Sequence, residues 1–209
     1  MKHTLYPNLQ KRIQEFKTPF REILTERKTV LQQLTDFIQQ KQKLNVAIDL
    51  NFICTHNSRR SHIAQLWAQA AAAYYGIENV HCFSGGTEAT AFNPRAVKAM
   101  KDAGFIITKT KEDANPVYEV RYADGAEPVI AFSKTYDDPF NHTKDFAAIM
   151  TCSHADENCP LVLGASGRIP LTYDDPKEFD GTPQEAEKYA ERVHEIGKEI
   201  FYAFSQVKA

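Results

Sequence analysis

The chain has no stretch long and apolar enough to cross a bilayer, and its opening residues, Met1-Lys2-His3-Thr4-Leu5-Tyr6-Pro7, lack the apolar core of a signal peptide. A cytoplasmic location without a membrane partner is the expectation. An excess of one charge is missing too: 25 Lys and Arg stand against 27 Asp and Glu, for a net charge of -2. The basic residues are scattered instead of massed, which speaks against a nucleic-acid surface and leaves small polar partners as the better fit. Repeats and low-complexity segments are absent. Cysteine is scarce, with Cys54, Cys82, Cys152 and Cys159 alone in 209 residues. In a reducing compartment these are poor candidates for permanent disulfides and better ones for thiol chemistry or metal binding. What is present, 43% hydrophobic residues over this length, suffices for one substantial core.

Residues 1–43 are rich in Gln, Lys and Glu, and Ile23, Leu24, Val30, Leu31, Leu34, Phe37 and Ile38 recur at helical spacing. One or two amphipathic helices are expected, packed on the main domain or on a second subunit, so a homodimer is one possible arrangement. Leu44, Val46, Ile48, Leu50 and Phe52 then alternate as in a strand that ends at Cys54. After a polar loop, Ile63, Leu66, Trp67, Ala70 and Tyr74 mark a helix closing at Gly76. Val80–Phe83 is a second strand, and Asn93-Pro94 opens a helix over Arg95–Ala103. Residues 111–145 interrupt the alternation as an insertion: Val117–Tyr122, a turn at Asp124-Gly125 and Val129–Phe132 have the pattern of a β-hairpin. Phe146–Thr151 is a buried parallel strand and Arg168–Tyr173 a weaker one. Thr182-Pro183-Gln184-Glu185 combines a capping box with proline at the first helical position before a long amphipathic helix. The expected fold is α/β: a four-stranded parallel sheet with helices on both faces over 44–209, an N-terminal helical extension and a β-hairpin insertion.

Chemistry concentrates where Cys54, at the end of a strand, is followed by five residues and then by Arg60 and Ser61 at a helix start. Such a loop wraps backbone N–H groups around a point beyond the helix N-terminus, where the dipole favours an anion and also a thiolate. Arg60 adds a planar fork for two oxygens of a tetrahedral oxyanion, and the Ser61 hydroxyl is near enough in sequence to donate to the sulfur. An isolated Cys or Arg would be a small apolar strand end or a solvated charge. The Cys-X5-Arg-Ser spacing between strand and helix favours the chemical reading.

The run Cys54-Thr55-His56-Asn57-Ser58-Arg59-Arg60-Ser61 resembles the phosphate-binding loop (P-loop) of the low-molecular-weight protein tyrosine phosphatase superfamily, which includes thioredoxin-coupled arsenate reductases. Ser84-Gly85-Gly86-Thr87 is similar to the family's Ser-Ala-Gly-Thr, and Asn93-Pro94 opens the following helix as in the family. The resemblance covers residues 48–110 and 146–204. It implies a Cys54 nucleophile, an Arg60 clamp, Ser61 supporting the thiolate and Asn57 holding the loop in shape, with residues Thr55, His56, Asn57, Ser58, Arg59, Arg60 and Ser61 around the oxyanion and Ser84 in support. Asn tolerates the left-handed backbone such a loop can require. His56 departs from the family's small residue, and Arg59 is an extra cation.

The resemblance also implies an Asp-Pro general acid. Two copies exist, Tyr136-Asp137-Asp138-Pro139 and Tyr173-Asp174-Asp175-Pro176; the second follows the last strand, as in the family, and selects Asp175, although Asp before Pro also starts ordinary turns. Cys152-Ser153-His154-Ala155-Asp156-Glu157-Asn158-Cys159-Pro160 resembles the cysteine segment of the reductases. That implies a relay in which Cys54 attacks arsenate, Cys152 attacks Cys54 and releases arsenite, and Cys159 closes a disulfide with Cys152, in a polar step freer to move than a helix. A metal site on Cys152, His154 and Cys159, or two ordinary thiols, are the other readings; the metal reading lacks a local fourth ligand. With Gln65 at the position of the family's acidic cation helper, no metal is expected, and Cys82 is a packed core thiol. The expectation is an arsenate reductase without a tightly bound cofactor, using an external thioredoxin-like reductant. The alternatives are a phosphatase hydrolysing phosphotyrosine through a Cys54 phosphoenzyme, weakened by Lys177 where a tyrosine usually follows Asp-Pro, and a non-catalytic oxyanion-binding protein.

Overall fold

The computed structural model describes residues 3–158 and 161–208. Four strands form a parallel sheet in the order β2-β1-β6-β7: β1 is Ile48–Cys54, β2 Val80–Gly86, β6 Phe146–Met150 and β7 Ala165–Ile169. The two inner strands, Ile-Asp-Leu-Asn-Phe-Ile-Cys and Phe-Ala-Ala-Ile-Met, are buried along their whole length, as expected of parallel strands covered on both faces. Alternation along them sorts the side chains. Leu50, Phe52, Ala147 and Ile149 meet the large helices, while Ile53, Phe146, Ala148 and Met150 meet Cys152, Ala155, Val162 and Tyr136 on the other side.

The first face is covered by α2 (Thr25–Lys43), α3 (Arg60–Tyr75) and α6 (Glu185–Ser205), with α1 (Pro7–Lys17) laid over α6. The N-terminal extension thus packs on the main domain: Leu9, Ile13, Phe16, Leu31, Leu34 and Ile38 are fully buried. Phe16 meets Trp67 edge-on at 5.0 Å. Gly197, inside α6, permits this approach, since a Cβ there would lie 2.5 Å from Phe16 and 2.9 Å from Trp67. The other face is covered by the short α5 (Ser153–Asn158) and by the irregular segment 133–142.

Several elements differ from the sequence expectation. The insertion is a three-stranded antiparallel sheet, β3-β4-β5, of Ile106–Lys111, Val117–Arg121 and Val129–Ala131, not a two-stranded hairpin. Only Ile107 of β3 is buried, so the strand carries almost no hydrophobic periodicity to read. Leu44 and Val46 extend the alternation before β1 but are exposed, because Leu44 belongs to the end of α2. Strand β7 starts earlier and stops at Ile169, ahead of Pro170. Residues 153–158 are helical where a non-helical step was expected. The capping box before α6 forms one residue out of place: Gln184 N–H donates to the Thr182 hydroxyl, and Glu185 accepts from Gly181 N–H at 2.6 Å instead of from the capping residue. Helix α4 (Pro94–Asp102) opens as read, with the Asn93 side chain accepting from Arg95 N–H.

The extension also reaches toward the sheet's C-terminal edge. Arg27 on α2 makes a two-pronged ion pair with the buried Glu199 of α6, donates to Thr172 O at 3.0 Å and lies 4.7 Å over the Tyr173 ring. Removing Arg27 strands a buried carboxylate. The Arg27→Ala variant is expected to lose on the order of 3 kcal/mol of stability, seen as a lower urea midpoint at unchanged slope.

Candidate active site

The C-terminal ends of β1, β6 and β7 converge at one edge of the sheet, where ligands of open α/β folds bind. Cys54 closes β1, Cys152 follows β6, and Asp175 lies in the segment after β7. Cys54 and Cys152 share one buried cluster.

The loop from Thr55 to Arg59 is held from outside by its carbonyl groups. Cys54 O accepts from Thr87 N–H, Thr55 O from Glu88 N–H and the Thr87 hydroxyl, His56 O from the Thr90 and Ser133 hydroxyls, and Ser58 O from Asn93 N–H. With the carbonyls turned outward, the amides are left facing in, and among the described residues none of the N–H groups of residues 55–59 meets a protein acceptor. Gly86 makes this closeness possible: a Cβ there would stand 2.6 Å from Thr55 O and 2.7 Å from Asn57 N.

Asn57 is the bend of the loop. Its φ of 43° is left-handed, a conformation Asn tolerates, and its buried amide works at both ends. Oδ1 accepts from Lys134 N–H at 2.9 Å, and Nδ2 donates to Ser61 Oγ at 2.9 Å. Because Ser61 Oγ accepts that bond, its own proton is available to Cys54 Sγ, 3.1 Å away.

Arg60 turns its fork toward the segment after β7. Nη1 donates to Tyr173 O at 2.8 Å and Nη2 to Asp175 Oδ2 at 2.7 Å, while the enclosed Nε meets no protein acceptor. Asp175 also accepts from Lys177 N–H at 3.1 Å, which fixes its position at the start of a short 3-10 turn. In the other Asp-Pro copy, Asp138 closes a local turn by accepting from Phe140 N–H.

The remaining loop side chains divide. Thr55 Oγ1 lies 3.5 Å from Cys152 Sγ and 3.3 Å from His154 Nδ1. Ser58 donates to Ala91 O, and His56 projects outward with Glu88 at 3.9 Å. The Arg59 side chain, expected among the oxyanion ligands, donates to the Tyr189 hydroxyl at 2.7 Å and to Asp180 at 3.3 Å, and its guanidinium also stands 3.9 Å from Asp175. Ser84 reaches no loop residue directly; its hydroxyl is 3.2 Å from the fully buried His62, whose ring stacks on Phe92. Burial, reinforced by the nearby Lys134 charge, holds His62 well below the usual histidine range, so it stays neutral. Burial pushes the Cys82 thiol up, in keeping with an inert core thiol. Cys159 and the relay step assigned to it lie outside the described residues.

Sequence reasoning missed Ser133, Lys134, Tyr173 and Tyr189. The first two come from the insertion and act through backbone or hydroxyl groups without any motif; Tyr173 contributes only its carbonyl.

These elements define an α/β protein whose anion-binding loop carries a buried thiol. The model of the family described as low molecular weight phosphotyrosine protein phosphatase matches residues 49–153. An arsenate reductase from Halalkalibacterium halodurans is 33% identical over 150 residues, spanning 71% of this chain and 89% of that protein. The arsenate reductase of Bacillus subtilis is 31% identical over 150 residues, with the same shares covered. Among solved structures, a low molecular weight protein tyrosine phosphatase from T. tengcongensis matches with a TM-score of 0.50 at 16% identity, covering 77% of this chain and 99% of that one. The chain belongs to the low molecular weight phosphotyrosine protein phosphatase family.

Two outcomes follow from this geometry. Gly86→Ala should displace the loop by an ångström or more and lower turnover by about 100-fold with the fold retained by circular dichroism. Lys134, almost wholly buried, has its pKa pushed down from 10.5 to about 8 by burial. Between those values the unfolded chain holds a proton that the native lysine has released, so stability contributed by this group rises with pH across that window and is lost as pH falls to 8. In Lys134→Met, that rise should disappear from urea midpoints measured between pH 8 and 10.5.

Proposed function

We propose that the protein is a cytoplasmic arsenate reductase that works by a cysteine relay. The observation that carries the reading is the second thiol: Cys152 is buried at the end of the strand beside Cys54, bridged to the loop by the Thr55 hydroxyl, in a place where phosphate hydrolysis alone requires no cysteine. Likeness to curated arsenate reductases over most of the chain supports it.

In this mechanism arsenate enters the cup of loop amides and takes Arg60 Nε and Nη2 as its planar clamp. The guanidinium exchanges Asp175 for the oxyanion, and Asp175 takes up a proton that the arsenate brings and returns it to the departing oxygen. Cys54 Sγ attacks arsenic, assisted by the Ser61 proton, and water leaves. Cys152 then attacks Cys54 Sγ; the electron pair of the S–As bond passes to arsenic, which departs as arsenite. Cys159 attacks Cys152, frees Cys54 and leaves a Cys152–Cys159 disulfide for an external thioredoxin-like dithiol to reduce.

The helix at 153–158 sets a condition on the last step. Residues seven apart along a helix are about 10 Å apart, beyond the roughly 7 Å between Cα atoms that a disulfide can span. Closure of the proposed disulfide therefore needs the chain to leave helical geometry between the two cysteines. Helix α5 is held by Arg168, which reaches Asp156 through the carbonyl at 2.5 Å and the carboxylate at 2.6 Å, and by Ala155, which is fully buried.

Hydrolysis of phosphotyrosine through a Cys54 phosphoenzyme is the second reading, favoured by the Arg60–Asp175 pair, which it would use equally. Arsenate turnover with thioredoxin, thioredoxin reductase and NADPH separates the two. Cys54→Ser should abolish turnover, and Cys152→Ser and Cys159→Ser should each reduce it by at least about 1,000-fold. Full turnover by Cys159→Ser would overturn the three-thiol relay, and absence of arsenate turnover in the unsubstituted protein, beside aryl phosphate hydrolysis dependent on Cys54, would establish the phosphatase instead.

A further inference from the structure

Asp49 is a charged residue near the start of the buried strand β1. Its carboxylate, 11% exposed, faces neither lysine nor arginine among the described salt bridges. Instead it lies between two imidazoles: His81 Nδ1 is 2.9 Å from Oδ1 and His142 Nδ1 is 2.8 Å from Oδ2. The ligand atoms of all three fall within 4.8 Å of one another. Such a cluster is absent from any local motif, since its members are 32 and 61 residues apart.

The backbone brings them together. Asp49 and His81 are register partners on β1 and β2, so their side chains emerge on the same face of the sheet. His142 comes from the segment after β5, and its neighbour Asn141 pins that segment by donating to Ser84 O at 3.1 Å. Phe83, two residues beyond His81 on the same face, packs against the His142 ring at 4.6 Å between centroids and fixes its position. Both imidazoles border a groove of 400 Å³ between the parallel sheet and β5, through which an ion and its waters can enter.

We infer that Asp49, His81 and His142 form a binding site for a divalent transition-metal ion of the zinc class, which fastens the inserted segment to the parallel sheet. Two imidazole nitrogens and one carboxylate oxygen are the donor set that such borderline ions take. Around a tetrahedral ion with bonds of 2.0–2.1 Å, ligand atoms stand about 3.3 Å apart. The three ligand atoms now lie between 2.8 and 4.8 Å apart, and both imidazoles are half exposed, which leaves room for the adjustment of about an ångström that an ion requires. Without metal, each Nδ1–H donates to the carboxylate; with metal, each Nδ1 presents its lone pair, and the ring proton resides on Nε2. Water completes the coordination.

The site is distinct from the thiol loop. Asp49 and Cys54 occupy opposite ends of β1, roughly 17 Å apart at a strand's rise per residue. Its effect on the loop is mechanical. The segment it fastens begins at Ser133 and Lys134, which hold His56 O and Asn57 Oδ1, so the ion stabilises the scaffold that shapes the loop.

The test uses the full chain carrying Cys54→Ser, Cys152→Ser and Cys159→Ser, to remove competing thiol ligands. Zn²⁺ is titrated by calorimetry and Co²⁺ by absorbance, each also read as a shift in melting temperature. One ion per chain is expected, with a raised melting temperature, and His81→Ala and His142→Ala should each weaken binding by at least about 100-fold. His142 is half exposed, so its replacement leaves the fold intact, which circular dichroism verifies. Absence of binding at 100-fold excess of Zn²⁺, or binding of equal strength in both histidine variants, overturns the proposal.

Discussion

The outward tethering of the loop's carbonyl groups is the constraint on which the candidate site depends. A five-residue turn between a strand and a helix has no intrinsic reason to point its amides at one spot. Here each outward carbonyl has a specific donor: Thr87, Glu88, Thr90 and Asn93 from the stretch after β2, and Ser133 from the insertion. Removing those donors would leave carbonyls to find partners by rotating their peptides, and the inward amides would rotate with them. The inward field that suits both a thiolate and an oxyanion is therefore built by residues that touch neither.

What could be read in the sequence was what is local. Cys54, Arg60 and Ser61 lie within one strand-loop-helix unit, where spacing alone sets their neighbourhood, and the helix boundaries at Asn93-Pro94 and Gly76 were equally plain. Asn57 was legible as a residue suited to left-handed backbone, and its φ is 43°. The illegible parts are contacts made across long sequence separations. Lys134 reaches Asn57 through its backbone N–H, which every residue but proline carries, so no side-chain pattern could have marked it. Arg59 looked like a second oxyanion ligand because its distant partners, Asp180 and Tyr189, were not visible from the loop. Strand β3 was missed because it packs only one side chain into the core, and helix α5 because five polar residues around the single Ala155 carry no hydrophobic period.

The N-terminal extension, which showed no chemistry of its own, is structurally continuous with the site. Arg27 ties α2 to Glu199 on α6 and to the carbonyl of Thr172, while its guanidinium lies over Tyr173. The next carbonyl, Tyr173 O, receives Arg60. Two guanidinium groups, one from the extension and one from the loop, thus hold consecutive peptides of the segment that carries Asp175. The extension restricts the backbone on which the carboxylate is mounted, and does so without coming near the thiol.

In the proposed reaction the Arg60–Asp175 pair is the element that oxyanion entry exchanges. With no anion present, the guanidinium is neutralised by Asp175, which avoids leaving a partly buried cation unpaired. An oxyanion in the cup offers a second partner for the same fork, while Nη1 keeps its bond to Tyr173 O and Nε, which has no protein acceptor, gains one. Asp175 released from the pair does not drift, since Lys177 N–H and the braced segment still hold it at the rim. In the proposed reaction anion entry costs one ion pair and gains another, and Asp175, with the Arg59 guanidinium still 3.9 Å away, stands beside the bond to be broken.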